Sequence, residues 1–225
     1  MTEIEYLGHS AFAIRDGGKE VLVDPFLSDN PKAPPSATLV RPDLILVTHA
    51  HHDHLGDTLD LSKRFGCPVL SVSEINDFLE ESGAKVLQGN IGGVVHLPFC
   101  VVKIFPAVHS SSFEDGRYGG EPCSFLIRMG GRTVFHAGDT ALFSDLSLVA
   151  DDAEIDVALL PVGGTYTMGV SEAAKAMRLL RARIMVPMHY DTWNSIAVDR
   201  EALESAAPGE KFSVKVLVPG EHLVL

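Results

Sequence analysis

Residues 48–57 read Thr-His-Ala-His-His-Asp-His-Leu-Gly-Asp, four histidines and two aspartates within ten positions. They follow directly on the apolar run Leu44-Ile45-Leu46-Val47, opened by Arg41-Pro42-Asp43. A run of that length and composition reads as a buried strand. The polar cluster therefore falls where a strand leaves a sheet, the edge at which α/β proteins collect ligands. Imidazole and carboxylate together suit zinc, iron and manganese. His49 and His51 alternate by two and Asp53 and His54 follow on the turn, so one curved loop can aim them at more than one metal. A solvated, His-rich loop is the plain alternative, and only partners elsewhere in the chain decide against it.

The rest of the chain bounds the fold. At 225 residues with 46% hydrophobic residues and no linker-like stretch, residues 1–225 read as a single domain with a sizeable core. Short strands are expected at 3–8, 11–15 and 20–23, with a hairpin turn at Asp16-Gly17-Gly18-Lys19. Residues 28–38, with Pro31, Pro34 and Pro35, read as a surface loop. A strand over 43–48 and the cluster precede a helix from Thr58 to Phe65 closed by Gly66, a strand over 68–72 and a helix from Ser73 to about Ser82. Strands near 84–88, 93–97 and 100–105 lead into a long loop, 106–122, and strands 123–129 and 132–136 flank Gly130-Gly131. A helix over 140–149 is a further option, with Asp139 as its cap. The second half alternates strand 156–160, helix 172–181, strand 183–187, helix 199–206 and strand 213–218. No internal repeat aligns. A meander followed by βαβαβ implies sheets covered by helices on their outer faces.

Three apolar strands then supply the partners the cluster lacks. Residues 101–108 deliver His109; residues 133–138 deliver Asp139, with Gly138 allowing a close backbone approach; residues 183–188 deliver His189. Each has a structural explanation taken singly: a loop start, a helix cap, a satisfied core histidine. Three strand ends each carrying one lone His or Asp are hard to explain by stability alone.

This constellation, His49-x-His51-x-Asp53-His54, then His109, Asp139 and His189, resembles the metallo-β-lactamase fold superfamily in order and spacing along almost the whole chain. Tyr6-Leu7-Gly8-His9-Ser10, Val23-Asp24-Pro25-Phe26, His136-Ala137-Gly138-Asp139-Thr140, the stretch 161–169 and Pro187-Met188-His189-Tyr190 are similar to one branch. That branch is the small, single-domain UPF0173 metal-dependent hydrolases, with ascorbate-6-phosphate lactonases as relatives. The resemblance implies an α/β (α+β) fold, a four-layer αβ/βα sandwich with its site at one edge between two sheets. It implies two divalent metal ions, zinc first and manganese, iron or nickel as alternatives. His49, His51 and His109 would hold one ion and Asp53, His54 and His189 the other, with Asp139 bridging. Ala141 departs from the family pattern, where glycine is frequent. Relatives that reduce oxygen or nitric oxide at di-iron usually carry Glu where this chain has His51, which argues against redox chemistry.

On that reading a metal-bridging hydroxide, oriented by Asp53 and Asp139, attacks a carbonyl carbon or a phosphorus. No Gly-x-Ser-x-Gly elbow competes for the role. His9 is expected near the ions as a proton donor or substrate contact, against the reading of a surface turn histidine. Asp24 is expected to hold a ligand histidine rather than to react. His136 is a candidate substrate contact, or equally an inward-facing strand residue. Thr167 is a candidate pocket hydroxyl, ahead of a helix capped by Ser171. His52 should point outward. Ser110, Ser111 and Ser112 with Arg117 form either a lid over the site or a plain exposed loop.

The function expected is therefore hydrolysis of a small ester, lactone or phosphoester. The alternative from another class is a metal- or small-ligand-binding sensor that keeps the fold without turnover. The net charge of −12 speaks against nucleic-acid and anionic-membrane partners, leaving a small-molecule substrate and self-association open. Cys67, Cys100 and Cys123 lack paired or Cys-x-x-Cys spacing, and the acidic start 1–6 lacks signal-peptide character. Both point to the cytoplasm.

Overall fold

The structure is a computed structural model that describes residues 1–207 and 209–225. Strands β1 (Glu3–Gly8), β2 (Ala11–Asp16) and β3 (Lys19–Val23) form an antiparallel meander. Gly17 and Gly18, at φ 56° and 77°, make the two-residue turn between β2 and β3. Both sit in the left-handed region, which matches the twist of a hairpin and which glycine enters without strain. Strands β4 (Leu44–Leu46), β5 (Pro68–Leu70) and β6 (Lys85–Leu87) then add in parallel. All three residues of β4 are fully buried, as a parallel strand covered on both faces requires.

The second sheet repeats the plan. Strands β7 (Val94–His96), β8 (Cys100–Pro106), β9 (Cys123–Met129) and β10 (Arg132–His136) are antiparallel. Strands β11 (Val157–Pro161), β12 (Ile184–Met188) and β13 (Ser213–Val214) add in parallel. The last strand, β14 (His222–Val224), returns to the first sheet and pairs antiparallel with β1. Each sheet thus has seven strands, and one hydrophobic core that includes Phe12, Ile45, Phe125 and Phe135 joins them. Burying each such side chain contributes roughly 1.5–3 kcal/mol.

The helices are α1 (His52–Leu55), α2 (Thr58–Phe65), α3 (Ser73–Glu81), α4 (Leu146–Asp152), α5 (Val170–Leu180) and α6 (Arg200–Glu204). In α5 the buried residues Ala173, Ala176, Met177 and Leu180 recur at helical spacing and pack toward β11. Gly66, at φ 65°, ends α2 as its composition implies. The architecture is the α/β sandwich expected, with two mixed sheets and flanking helices.

Four local expectations are corrected. The helix over 140–149 begins only at Leu146, because residues 140 and 141 are tied elsewhere: Ala141 donates to the Val108 carbonyl and Met168 to the Thr140 carbonyl. Ser171 does not cap α5; the cap is Gly169, whose N–H donates to the Glu172 carboxylate at 3.1 Å. The strand over 213–218 shortens to two residues. The edge strand β14 has no counterpart among the expected strands. Among the described residues, no helix is long and apolar enough to cross a membrane.

Candidate metal centre

The strand ends converge. The 48–54 loop leaves the end of β4, His109 follows β8, Asp139 follows β10, His189 follows β12, Asp24 ends β3, and His9 lies in the β1–β2 turn. All of these stand at one edge shared by both sheets. Gly138 makes the approach possible: at φ 60°, a Cβ there would lie 2.8 Å from Thr48 Cβ and 2.9 Å from the Cys123 carbonyl oxygen. The 48–54 loop and the 138–139 turn are therefore pressed together by the absence of one side chain.

Two groups of donors form around Asp139. His49, His51 and His109 lie with their ring nitrogens within 4.8 Å of one another. His49 Nε2 and His51 Nδ1 face each other at 2.9 Å. His9, Asp53, His54 and His189 form the second group within the same limit. Asp139 stands between them: its carboxylate is 2.9 Å from His189 Nε2, 3.2 Å from His54 Nε2 and 3.6 Å from His109 Nε2. Yet among the described residues His54 Nε2, Asp139 Oδ1 and His189 Nδ1 are buried without a partner in hydrogen-bond geometry, although the first two face each other. Unsatisfied buried polar atoms are costly. Two of these three, His54 Nε2 and Asp139 Oδ1, lie among the converging donors, so the residues present fit a cation.

The electrostatics point the same way. Burial pushes the His49, His51 and His109 imidazoles below their ordinary range, which keeps the rings neutral at neutral pH, each with one nitrogen free of a proton. Burial alone would raise Asp139 and Asp53. For Asp139 the charges of His54 and His189 reverse this; for Asp53 the hydrogen bond from His9 and the charge of His54 do so, and both carboxylates stay well below the usual range. His54 is opposed by burial but carried upward by Asp139 and Asp24. Neutral imidazoles at His49, His51 and His109 beside anionic carboxylates are the donor chemistry of a divalent metal site.

Supporting residues hold this set from behind. Asp24, fully buried, accepts from the Thr48 backbone N–H at 2.8 Å and the Thr48 hydroxyl at 2.7 Å, and lies 2.7 Å from His54 Nδ1. Its carboxylate thereby fixes the orientation of the His54 ring. His9 reaches Asp53 Oδ2 through Nε2 at 3.1 Å and Thr192 Oγ1 through Nδ1 at 2.8 Å. Burial lowers His9 to about 4, so the ring is neutral; with Nε2 donating to the carboxylate, Nδ1 accepts from Thr192. Both nitrogens are taken by protein groups, and His9 is a clamp on Asp53 rather than a free proton donor. His9, Asp24 and His189 all adopt positive φ, 56°, 47° and 55°, and the His189 N–H donates to the His9 carbonyl at 2.8 Å. Non-glycine residues in that region cost energy and concentrate at functional sites.

Other candidates are placed differently. His136 is fully buried, with Nε2 on the Ser10 carbonyl at 2.9 Å and Nδ1 accepting from the Gly138 N–H at 3.1 Å. It braces the backbone under the site and is corrected from substrate contact to structural support. The Thr167 hydroxyl is nearly buried and donates to the Met168 carbonyl at 3.4 Å. His52 points outward between Asp29 and Glu114, as expected. In the 110–120 segment, Arg117 pairs with Asp115 and lies over the rings of Phe78 and Phe113, so its guanidinium is already engaged. Ser111 accepts from the Ala50 N–H at 3.2 Å, pinning this segment to the metal loop. Thr48, Thr192 and Trp193 went unassigned from sequence. Their one signal is position, each directly before or within four residues after a candidate ligand histidine.

Fold and site together define a metal-dependent hydrolase of the metallo-β-lactamase type. The family model described as Beta-lactamase superfamily domain matches residues 3–189. A UPF0173 metal-dependent hydrolase of Thermus thermophilus is 46% identical over 225 residues, covering 100% of both chains. One from Pyrococcus furiosus is 45% identical over 230 residues, again covering 100% of both. Among solved structures, Igni18, a metallo hydrolase from the hyperthermophilic archaeon Ignicoccus hospitalis, superimposes with a TM-score of 0.89 at 35% identity, covering 99% of this chain and 97% of that one. The chain belongs to the beta-lactamase superfamily and, within it, to the UPF0173 metal-dependent hydrolases.

Proposed function

We propose that the chain hydrolyses a small ester, lactone or phosphoester at a site holding two divalent ions. His49, His51 and His109 would hold one ion and Asp53, His54 and His189 the other, with Asp139 between them. When bound, such ions supply water activation near neutral pH and Lewis acidity toward a carbonyl or phosphoryl oxygen. The chain's own residues do the rest. Asp24 fixes the His54 ring so that Nε2 faces the centre, and His9 fixes Asp53 by occupying Oδ2. Asp53 and Asp139, both anionic, can orient the proton of an attacking water. The observation that carries the two-ion reading is the position of Asp139, within 4 Å of a histidine from the first group and two from the second. Zinc is our first assignment, because most of the donors are imidazoles, a ligand type that zinc shares with iron and nickel. A small molecule is the substrate this edge favours, and the three free, buried cysteines are compatible with the cytoplasm.

The test is metal content per chain by mass spectrometry, on protein purified without added metal, beside His109→Ala. About two ions per wild-type chain, falling toward one in the variant, is expected. Turnover is then screened under that metal with phosphodiesters, lactones and thioesters. Metal near zero with no uptake of Zn²⁺ or Mn²⁺ would overturn the proposal; metal uptake with ligand binding but no turnover would favour a sensor.

A further inference from the structure

We infer that Trp193 is a specificity-determining residue of this site, an aromatic wall at its mouth that selects a neutral ester or lactone carrying an aromatic ring beside the scissile carbonyl. The inference rests on the hydrolase reading above and deepens it.

Trp193 is the sole tryptophan of the chain and is 40% exposed. Its ring stands edge-on to His9 at 4.9 Å between centroids and tilted against Phe26 at 6.2 Å. His9 in turn holds Asp53 at 3.1 Å. One imidazole therefore separates the indole from a carboxylate of the candidate metal centre, about the reach of a ring fused or bonded to a reacting ester group. Phe26 is almost fully buried and backs the indole.

The loop that carries the indole is held in place. Thr192 Oγ1 bonds His9, and the Ile196 N–H donates to the Trp193 carbonyl at 3.1 Å. The Asp191 N–H donates to the Ile196 carbonyl, the Asp191 carboxylate accepts from the Val198 N–H, and the Thr165 hydroxyl donates to the Ser195 carbonyl. A partly exposed aromatic on a backbone fixed this way, and in contact with two further rings, gives contact area at a low ordering cost on binding.

Charge sets the rest of the preference. Phe26 also meets His52 edge-on at 5.6 Å, and His52 stands between the carboxylates of Asp29 and Glu114. An acidic rim beside an apolar wall disfavours a second anionic group on the substrate and favours an uncharged ring. The reaction needs no further reagent. Water adds across the acyl C–O bond, the oxygen of water ends on the carbonyl carbon, the leaving oxygen takes one proton, and the resulting acid releases another.

The test compares two six-membered lactones, dihydrocoumarin and δ-valerolactone, which differ by a fused benzene ring, on the zinc-loaded full chain. Their intrinsic reactivities differ, but that difference cancels when the ratio of kcat/KM values is compared between proteins. Trp193→Ala is expected to lower the dihydrocoumarin-to-valerolactone ratio about tenfold, mainly through KM, and Trp193→Phe to keep most of it. An unchanged ratio in Trp193→Ala overturns the inference. A second measurement needs no turnover: calorimetric binding of the ring-opened acids, 3-(2-hydroxyphenyl)propionate and 5-hydroxypentanoate. Wild type should bind the aromatic acid about tenfold more tightly, and Trp193→Ala should lose that preference. Absence of a preference in wild type, including absence of binding, overturns the inference. If neither lactone is hydrolysed while the aromatic acid still binds through Trp193, the hydrolase reading fails and the role of Trp193 stands.

Discussion

Asp24→Asn changes one atom in a buried carboxylate that touches no substrate, and it should still cripple metal binding. Asp24 Oδ1 accepts from the Thr48 N–H at 2.8 Å, and Oδ2 faces both the Thr48 hydroxyl and His54 Nδ1 at 2.7 Å. In one orientation of the amide, its NH₂ replaces Oδ2. His54 Nδ1 can then accept only by giving up its proton, which moves to Nε2, the atom aimed at Asp139 at 3.2 Å. A protonated Nε2 cannot bind a metal. In the other orientation the NH₂ meets the Thr48 N–H, donor against donor. Loss of such a partner lowers metal affinity by about 10–100-fold, or ~1.4–2.7 kcal/mol. The fold should lose about 1.5–3 kcal/mol through the missing charged hydrogen bond, a drop of roughly 5–10 °C in Tm for a chain of this size. Zinc titration by calorimetry against chelator-treated wild type, with thermal melts of both, measures the two effects separately. An affinity within twofold of wild type, with the fold intact, would refute the claim that Asp24 sets the His54 tautomer.

Further outcomes follow from the same geometry. Chelation should lower Tm, because ions that bind only the folded chain contribute ~2.7 kcal/mol at a hundred times their Kd; an unchanged melt after complete metal removal would contradict this. Metal-free protein should lose stability as pH falls from about 6.5 toward 4. The unfolded histidine takes up protons below about 6.5, whereas folded His9 does so only at about 4, so the unfolded chain binds more protons in that window. His9 contributes up to ~3 kcal/mol of this, His49, His51 and His109 share its sign, and His54 opposes it. Melts of His9→Asn, which tolerates the left-handed backbone, should show a shallower pH slope than wild type; an equal slope would remove His9 from the account. Gly138→Ala places a methyl group against Thr48 and the Cys123 carbonyl, costing about 1–3 kcal/mol and displacing Asp139. Reduced metal content in a folded variant is the outcome to look for.

What the sequence makes legible here is local chemistry at strand ends. The THAHHDH run behind Leu44–Val47, the lone His109, Asp139 and His189 behind three apolar strands, and the close approach implied by Gly138 all carry their signal within a few residues. The structure brings them to one edge. What escapes is set by distant partners. Strand β14 is three residues long and exists because β1 offers an open edge, at which His222 lies opposite Glu5 and its ring meets the carboxylate of Glu3, 219 positions away. The helix expected at 140–149 starts late because residues 140 and 141 bond to Val108 and Met168, neighbours only in the folded chain. His136 reads by position as either a substrate contact or an inward-facing strand residue, and strand alternation with the Ser10 carbonyl turns it inward. Trp193 lies in an exposed polar stretch, where its composition gives no sign of His9 beneath it.

The repeated plan of the two sheets explains why the centre is built from both. In each, a glycine-pair hairpin, Gly17-Gly18 or Gly130-Gly131, returns the chain on an antiparallel strand that leads into the parallel half. In each, that strand runs out into an aspartate, Asp24 after β3 and Asp139 after β10. One carboxylate positions His54 from behind and the other faces it from the front, at 2.7 and 3.2 Å from its two ring nitrogens. A single buried imidazole between two buried acids cannot satisfy both with neutral hydrogen bonds, since it then carries one proton for two acceptors. The metal-free arrangement relieves this by drawing His54 toward the charged form. A cation beside Nε2 would replace that second proton and leave the Asp24 bond in place. The same pair of acids that makes the metal-free centre costly is thus what makes it select a cation, and the sequence does not reveal it because only the topology, not the residues around it, is repeated.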